Sequence, residues 1–177
     1  MTADQRAAEW VGYLEHQDGH LLGIYTANVG KGGYTIFAQM LCERYGARLW
    51  GLPWCAVFVH AIIDQPDLLG RPHAGTRVLQ RRMKRRRFWR GRNYRPQPGD
   101  LIFCSNARSC RVDHVGIVES LDGETVSSIE GNTVDPTGVF APEQGGAVAR
   151  RIRRLDDPII VGYAEIGKEW DHGRRTL

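Results

Sequence analysis

Apolar residues recur at helical intervals through the first half of the chain and at extended intervals through the second. Thr2 and Gln5 have capping-box spacing, and Ala7, Trp10, Val11 and Leu14 follow at helical steps until Gly19 ends the segment. The stretch around Asn28, Gly30, Gly32 and Gly33 reads as a loop. Phe37, Met40 and Leu41 mark a second amphipathic helix that closes near Gly46. Residues 56–63 are apolar nearly all round, so their helix is expected at the centre, packed on most faces and stopping before Pro66. A fourth, strongly basic helix is predicted over 76–88.

Beyond Pro98 the period becomes extended. Short apolar runs at 101–104, 114–121, 124–130, 147–152 and 159–166 are separated by Gly, Pro, Asp and Asn. Helices first and strands second predict an α+β fold, with N-terminal helices packed on a C-terminal antiparallel sheet of about five to six strands. No internal repeat or linker interrupts the chain. One domain is expected over 1–177, with its core at 34–166 and a loose polar tail at 167–177.

At 177 residues the chain can bury a core without disulfide staples, and its net charge of +4 is a small excess. Its start, Met1-Thr2-Ala3-Asp4-Gln5-Arg6, has no basic stretch leading into an apolar run, so no secretory signal is visible and synthesis in the cytoplasm is expected. No apolar stretch reaches the length of a membrane span. The four cysteines, Cys42, Cys55, Cys104 and Cys110, form no close C-x-x-C pair, which argues against a zinc site or a thioredoxin-type motif. Cys104 and Cys110 bracket a short loop and could cross-link in an oxidising medium, whereas Cys42 falls in a helical pattern as a packed thiol.

Cys55 changes the picture. It follows Leu52-Pro53-Trp54 and opens the central helix, with Pro53 presetting the backbone for a helix start. Unpaired N–H groups and the positive end of the helix dipole would lie beside its sulfur and favour the thiolate, which is the nucleophilic form. The bland alternative is a small buried hydrophobe. A cysteine nucleophile needs an imidazole within hydrogen-bond reach, and the imidazole needs an acceptor on its other nitrogen, which Glu130 or Asn132 can supply. His114 opens one predicted strand and Glu130 closes the next. A two-residue turn at Asp122-Gly123 would put them on opposite faces. A three-residue connection, Leu121-Asp122-Gly123, with Gly123 left-handed in a bulge, pairs 114 with 130 directly and puts Asn132 two residues further along the same face. The triad chemistry therefore predicts that loop. The Cys55 backbone N–H is a natural oxyanion donor.

The ordered set Leu52-Pro53-Trp54-Cys55-Ala56-Val57-Phe58-Val59, Pro98-Gly99-Asp100-Leu101-Ile102-Phe103, Asp113-His114-Val115-Gly116-Ile117-Val118-Glu119 and Ile129-Glu130-Gly131-Asn132-Thr133 resembles the CHAP family. Val161-Gly162-Tyr163-Ala164 resembles that family's final strand. The resemblance implies a papain-like fold and a cysteine- and histidine-dependent amidohydrolase or peptidase. It implies Cys55 as nucleophile, His114 as general base and acid, Glu130 as orienting group and Asn132 as a fourth polar position. It further implies cleavage of amide bonds in bacterial peptidoglycan, either between muramic acid and L-alanine or within the peptides, by a lysin, an autolysin or a wall remodeller. Action on the wall then follows release, lysis or specialised export. No Asp/Asn-rich loop precedes Cys55, so no metal or other cofactor is expected. A small-molecule amidase on the same scaffold and a non-catalytic basic binding protein are the rival readings.

The densest charge run, 81–92, holds Arg81, Arg82, Lys84, Arg85, Arg86, Arg87, Arg90 and Arg92. It reads as a solvated helix face rather than a specific nucleic-acid site, and anionic wall polymers are its expected partner. Lys31 lacks phosphate-loop spacing. Tyr34, near that loop, and Trp54, beside the nucleophile, are candidates to line the substrate groove, with core packing an equal reading for Trp54. His60 is expected to be buried and hydrogen-bonded, and His16, His20, His73 and His172 to lie at the surface.

Overall fold

The computed structural model describes residues 1–17, 20–21, 33–105, 111–136 and 146–168. Among them, five helices precede most of the sheet: α1 (Ala3–Ala8), α2 (Ile36–Tyr45), α3 (Cys55–Ile63), α4 (Pro66–Leu69) and α5 (Thr76–Arg85). All nine residues of α3 are buried, as its all-round apolar character requires. Trp54 and Phe37 stack at 5.8 Å, and Phe37 meets Phe58 edge-on at 5.0 Å, which locks α2 to α3. Thr35 caps α2 by accepting from the Ala38 N–H at 3.1 Å, and Gly46 closes it in the left-handed conformation. No helix is long and apolar enough to cross a membrane among the described residues.

Two helices are shorter than the sequence predicts. Gln5 Oε1 accepts from the Thr2 N–H at 2.9 Å, yet α1 stops at Ala8. Gly12 and Tyr13 instead exchange backbone hydrogen bonds with Val148, and Leu14 bridges Ala147. The spacing reported which side chains face the core, and Trp10 and Tyr13 do pack on Phe37, but the backbone bonds go to a strand. Likewise α5 ends at Arg85, and Pro53 stands before the Trp54 cap rather than inside α3. Of the predicted loop, Asn28, Gly30, Lys31 and Gly32 lie outside the described residues, and Gly33 opens a short strand.

That strand, β3 (Gly33–Tyr34), joins β1 (His16–Gln17) and β2 (His20–Leu21) in a small sheet. The main sheet contains β4 (Trp89–Arg90), β5 (Leu101–Cys104), β6 (His114–Asp122), β7 (Thr125–Thr133), β8 (Ala147–Arg154) and β9 (Ile160–Ala164). Its order is β4-β9-β5-β6-β7-β8, with every neighbouring pair antiparallel. Val115, Ile117, Ile129 and Val148 pack with the helices, while Ile102, Cys104, Val118, Val126, Ile160 and Tyr163 form a second cluster. The Pro98-Gly99-Asp100 motif ties strand ends together. Asp100 Oδ1 accepts from the Ile166 and Gly167 N–H groups at 3.0 Å, and Oδ2 from Gln97 N–H at 2.9 Å and Tyr94 OH at 3.0 Å.

The β6–β7 hairpin corrects the predicted loop. Asp122 pairs with Thr125, so the connection is the two-residue turn Gly123-Glu124, with Gly123 at φ 54°. Carried along the strands, that register would set Glu130 opposite Ile117 and face it away from His114. A bulge between Val118 and Ser120 shifts the pairing to Ile117↔Ile129, which puts Glu130 beside Gly116 and on the face of His114. The parity change expected at the turn occurs at Glu119 instead.

At the helix–sheet seam, a Cβ on Gly131 would stand 2.6 Å from Phe58 Cβ and 2.7 Å from the Trp54 ring. Gly131→Ala should destabilise the protein by about 1–3 kcal/mol, read as a lower denaturant midpoint at unchanged slope.

Candidate active site

Cys55 is the first residue of α3 and only 2% exposed. No side chain caps this helix, and its first intrahelical bond runs from Phe58 N–H to the Trp54 carbonyl. The opening N–H groups therefore lie beside the sulfur, where they favour negative charge. His114 begins β6 and Glu130 lies deep in β7, and both are buried. His114 Nε2 stands 2.8 Å from Glu130 Oε2, and His114 also hydrogen-bonds Cys55, which leaves Nδ1 as the nitrogen facing the sulfur. Gly116 makes the reach possible, because a Cβ there would sit 2.5 Å from Glu130 Cγ.

Three further groups complete the cluster, none of them singled out by the sequence. Arg153 on β8 forks onto Glu130, with Nη1 at 2.5 Å from Oε1 and Nη2 at 3.1 Å from Oε2. Ser128 donates its hydroxyl to Oε1 at 2.7 Å. Thr76, at the start of α5, lies with Oγ1 3.4 Å from Cys55 Sγ and 3.4 Å from the Asp113 carbonyl. The available signal was parity alone: Ser128 shares a face with Glu130, and Arg153 lies opposite Val126 on that same face.

The electrostatics follow from these contacts. Burial pushes the Cys55 thiol up, but the hydrogen bond and charge of His114, with Thr76 and the Val115 backbone, outweigh it and hold Cys55 below its ordinary value. Burial opposes charge on His114, yet Glu130 and Cys55 raise it to about 10. Glu130 is buried too, and the cations of His114 and Arg153 hold it far below the usual carboxylate range. Both shifts favour thiolate beside imidazolium, the reactive form of such a couple. Cys104 shows the contrast. It is 1% exposed, and burial and the Glu130 charge push it up to about 12.

Other predicted residues fall outside this chain of contacts. Asn132 takes a left-handed conformation, φ 57°, at a second bulge between Glu130 and Thr133. Its buried Oδ1 has no hydrogen-bond partner among the described residues. Trp54 does not line a groove: it is 1% exposed, packed on Phe37, and directs its Nε1–H to Glu15 Oε2 at 3.2 Å. Tyr34 is half-buried on β3, opposite His16. His60 is buried as expected, but its Nε2 lacks a hydrogen-bond partner among the described residues, and burial pushes it down to about 3. Cys42 is half-buried in α2, and Cys42 and Cys104 are free thiols. Cys110 and His172 lie outside the described residues.

A cysteine at a helix tip, facing an imidazole and a carboxylate delivered by an antiparallel sheet, is the arrangement of the papain-like cysteine peptidases and amidases. Residues 47–132 match the family model of the CHAP domain, so this segment, which holds Cys55, His114 and Glu130, carries the CHAP family's pattern. A CHAP domain implies hydrolase activity of the amidase or peptidase kind, and such domains usually act on peptidoglycan. None of the curated proteins matches the chain.

Cys55 and Cys104 are equally sealed but electrostatically opposite. At pH 6, iodoacetamide should modify Cys55 at least about tenfold faster than Cys104, read by site-resolved mass spectrometry. Equal rates would contradict the ion pair.

Proposed function

We propose that this protein is a cell-wall hydrolase that cleaves amide bonds of bacterial peptidoglycan, as an N-acetylmuramoyl-L-alanine amidase or a peptide endopeptidase. The unbroken contact chain from Cys55 through His114 to Glu130 carries the reading. The Cys55 thiolate attacks the amide carbon, and the oxyanion meets N–H groups at the start of α3. His114 Nδ1 then gives its proton to the departing amine, which leaves an acyl-enzyme. His114 takes a proton from water, the hydroxide attacks the thioester, and the thiolate departs. Glu130 holds the ring against the sulfur throughout. Asn132 stays the candidate fourth polar group beside the triad, and Tyr34 a candidate for substrate contact. The protein acts on the wall once it has left the compartment where it is made.

Cys55→Ala should fold and fail to clear purified sacculi, with no new amine termini among the muropeptides by mass spectrometry. Clearing by that variant would end the assignment. Thiolate survives above the lowered value of Cys55 and imidazolium below about 10, so kcat/KM should fall on the acid side as the sulfur gains a proton and on the alkaline side as pH approaches about 10. A profile with no alkaline limb as pH approaches about 10 would contradict the pair.

The wall-polymer partner also belongs to this reading. Residues 71–99 contain no Asp or Glu. Part of their charge is spent inside the fold: Arg82 donates to the carbonyls of Leu69 and Arg71, Arg86 to that of Asp67, and Arg92 to those of Asp156 and Asp157, while Arg90 pairs with Glu165. Arg81 and Arg85 are exposed on one side of α5 and enter no salt bridge among the described residues. The double variant R81E/R85E should bind teichoic-acid-bearing sacculi more weakly, and wild-type binding should fall as salt shortens the screening length below about 10 Å. Salt-independent binding would remove the polymer partner.

A further inference from the structure

One fully buried carboxylate serves two cations. Glu130 is 0% exposed, with His114 Nε2 at 2.8 Å from Oε2 and the Arg153 guanidinium at 2.5 and 3.1 Å from its two oxygens. The Arg153 side chain is itself 9% exposed, and it comes from β8, a strand that neighbours β7 alone in the main sheet. Arg153 touches neither Cys55 nor the described reacting atoms, so nothing in the mechanism above requires it.

Charge counting gives it a task. In its ion-pair form the cluster holds a thiolate, an imidazolium, a carboxylate and a guanidinium, which sum to zero. After His114 hands its proton to the leaving amine, the sulfur is acylated and the imidazole neutral. Glu130 and Arg153 then remain, again summing to zero. Without the guanidinium, Glu130 would be a buried, uncompensated anion at the moment of proton transfer, and it would pull the proton back toward itself and His114. The other titratable groups facing this carboxylate do not replace it. Cys55 from α3 supplies no cation in either form, Cys104 from β5 is pushed toward the neutral thiol, and Asp157 beyond β8 is an acid acting on Arg153 and Cys104.

Building on the proposed reaction, we propose that Arg153 is a positioning residue: by chelating both oxygens of Glu130 it keeps that carboxylate anionic and fixed, so that His114 stays against Cys55 and can release its proton. The fork matters as well as the charge, because a bidentate guanidinium fixes the carboxylate plane and an ammonium does not.

The test compares wild type, R153M and R153K as full chains, following two pH profiles: site-resolved iodoacetamide alkylation of Cys55, and hydrolysis of sacculi. R153M should move the acid limb of alkylation upward by about 1–3 pH units and slow neutral-pH hydrolysis at least about tenfold. R153K should leave that limb in place while hydrolysing more slowly. A folded R153M with the wild-type limb, or with a uniform loss at every pH, would overturn the proposal. If circular dichroism shows R153M unfolded, R153K decides: a limb in place with slower hydrolysis supports it, and a displaced limb or wild-type rate overturns it. Alkylation needs no wall substrate. A displaced limb in a protein whose wild type leaves sacculi intact would therefore sink the substrate assignment and leave the role of Arg153 standing.

Discussion

The structure depends on keeping four ionisable groups out of water beside one another. Taken singly, a buried thiolate, imidazolium or carboxylate is costly, and removing one partner of a buried pair typically costs about 3–5 kcal/mol. Here each group compensates the next, from Cys55 at a helix tip to His114, Glu130 and Arg153 on three successive strands. The helix start adds its dipole at one end, and the edge strand supplies the guanidinium at the other. The surrounding core can then be dry and dense, and that dryness strengthens every interaction inside it.

Backbone geometry sets the spacing. Glu130 needs space above β6 to reach the ring, and Gly116 supplies it by having no side chain in the way. The sheet in turn approaches α3 closely at Gly131, where Phe58 and Trp54 leave no room for a methyl group. Trp54 therefore supports the sulfur from beneath, as part of the aromatic cluster with Phe37 and Tyr13, rather than meeting substrate from above. Its indole N–H satisfied by Glu15 shows how deep that position lies.

Much of this was legible in the chain. Leu101–Cys104 and the central helix have the predicted limits or nearly so, because continuous apolar runs bounded by Pro, Gly and Asp leave few alternatives. The helical and sheet layers followed from the change of period. Cys55, His114 and Glu130 could be singled out because each is a titratable residue at the edge of an apolar run in the sequence. Arg153 and Ser128 could not, since alternating charge on a strand looks the same whether it faces solvent or a buried acid. The bulge at Glu119 carries no distinctive residue type, so the pairing had to be seen. Trp10 and Val11 misled for a different reason: spacing records burial, and a turn followed by a strand can bury the same side chains as a helix.

The bulge has a consequence for how this hairpin tolerates changes in length. Between the tip and Glu119 the two strands are in one phase, and beyond it they are in the other. Excising a single residue there would turn the carboxylate to the wrong side of the sheet without unfolding a strand, whereas excising one residue from each strand would leave the phase intact. Shortening of this ribbon is thus constrained by whether the count is odd or even, more than by how much is removed.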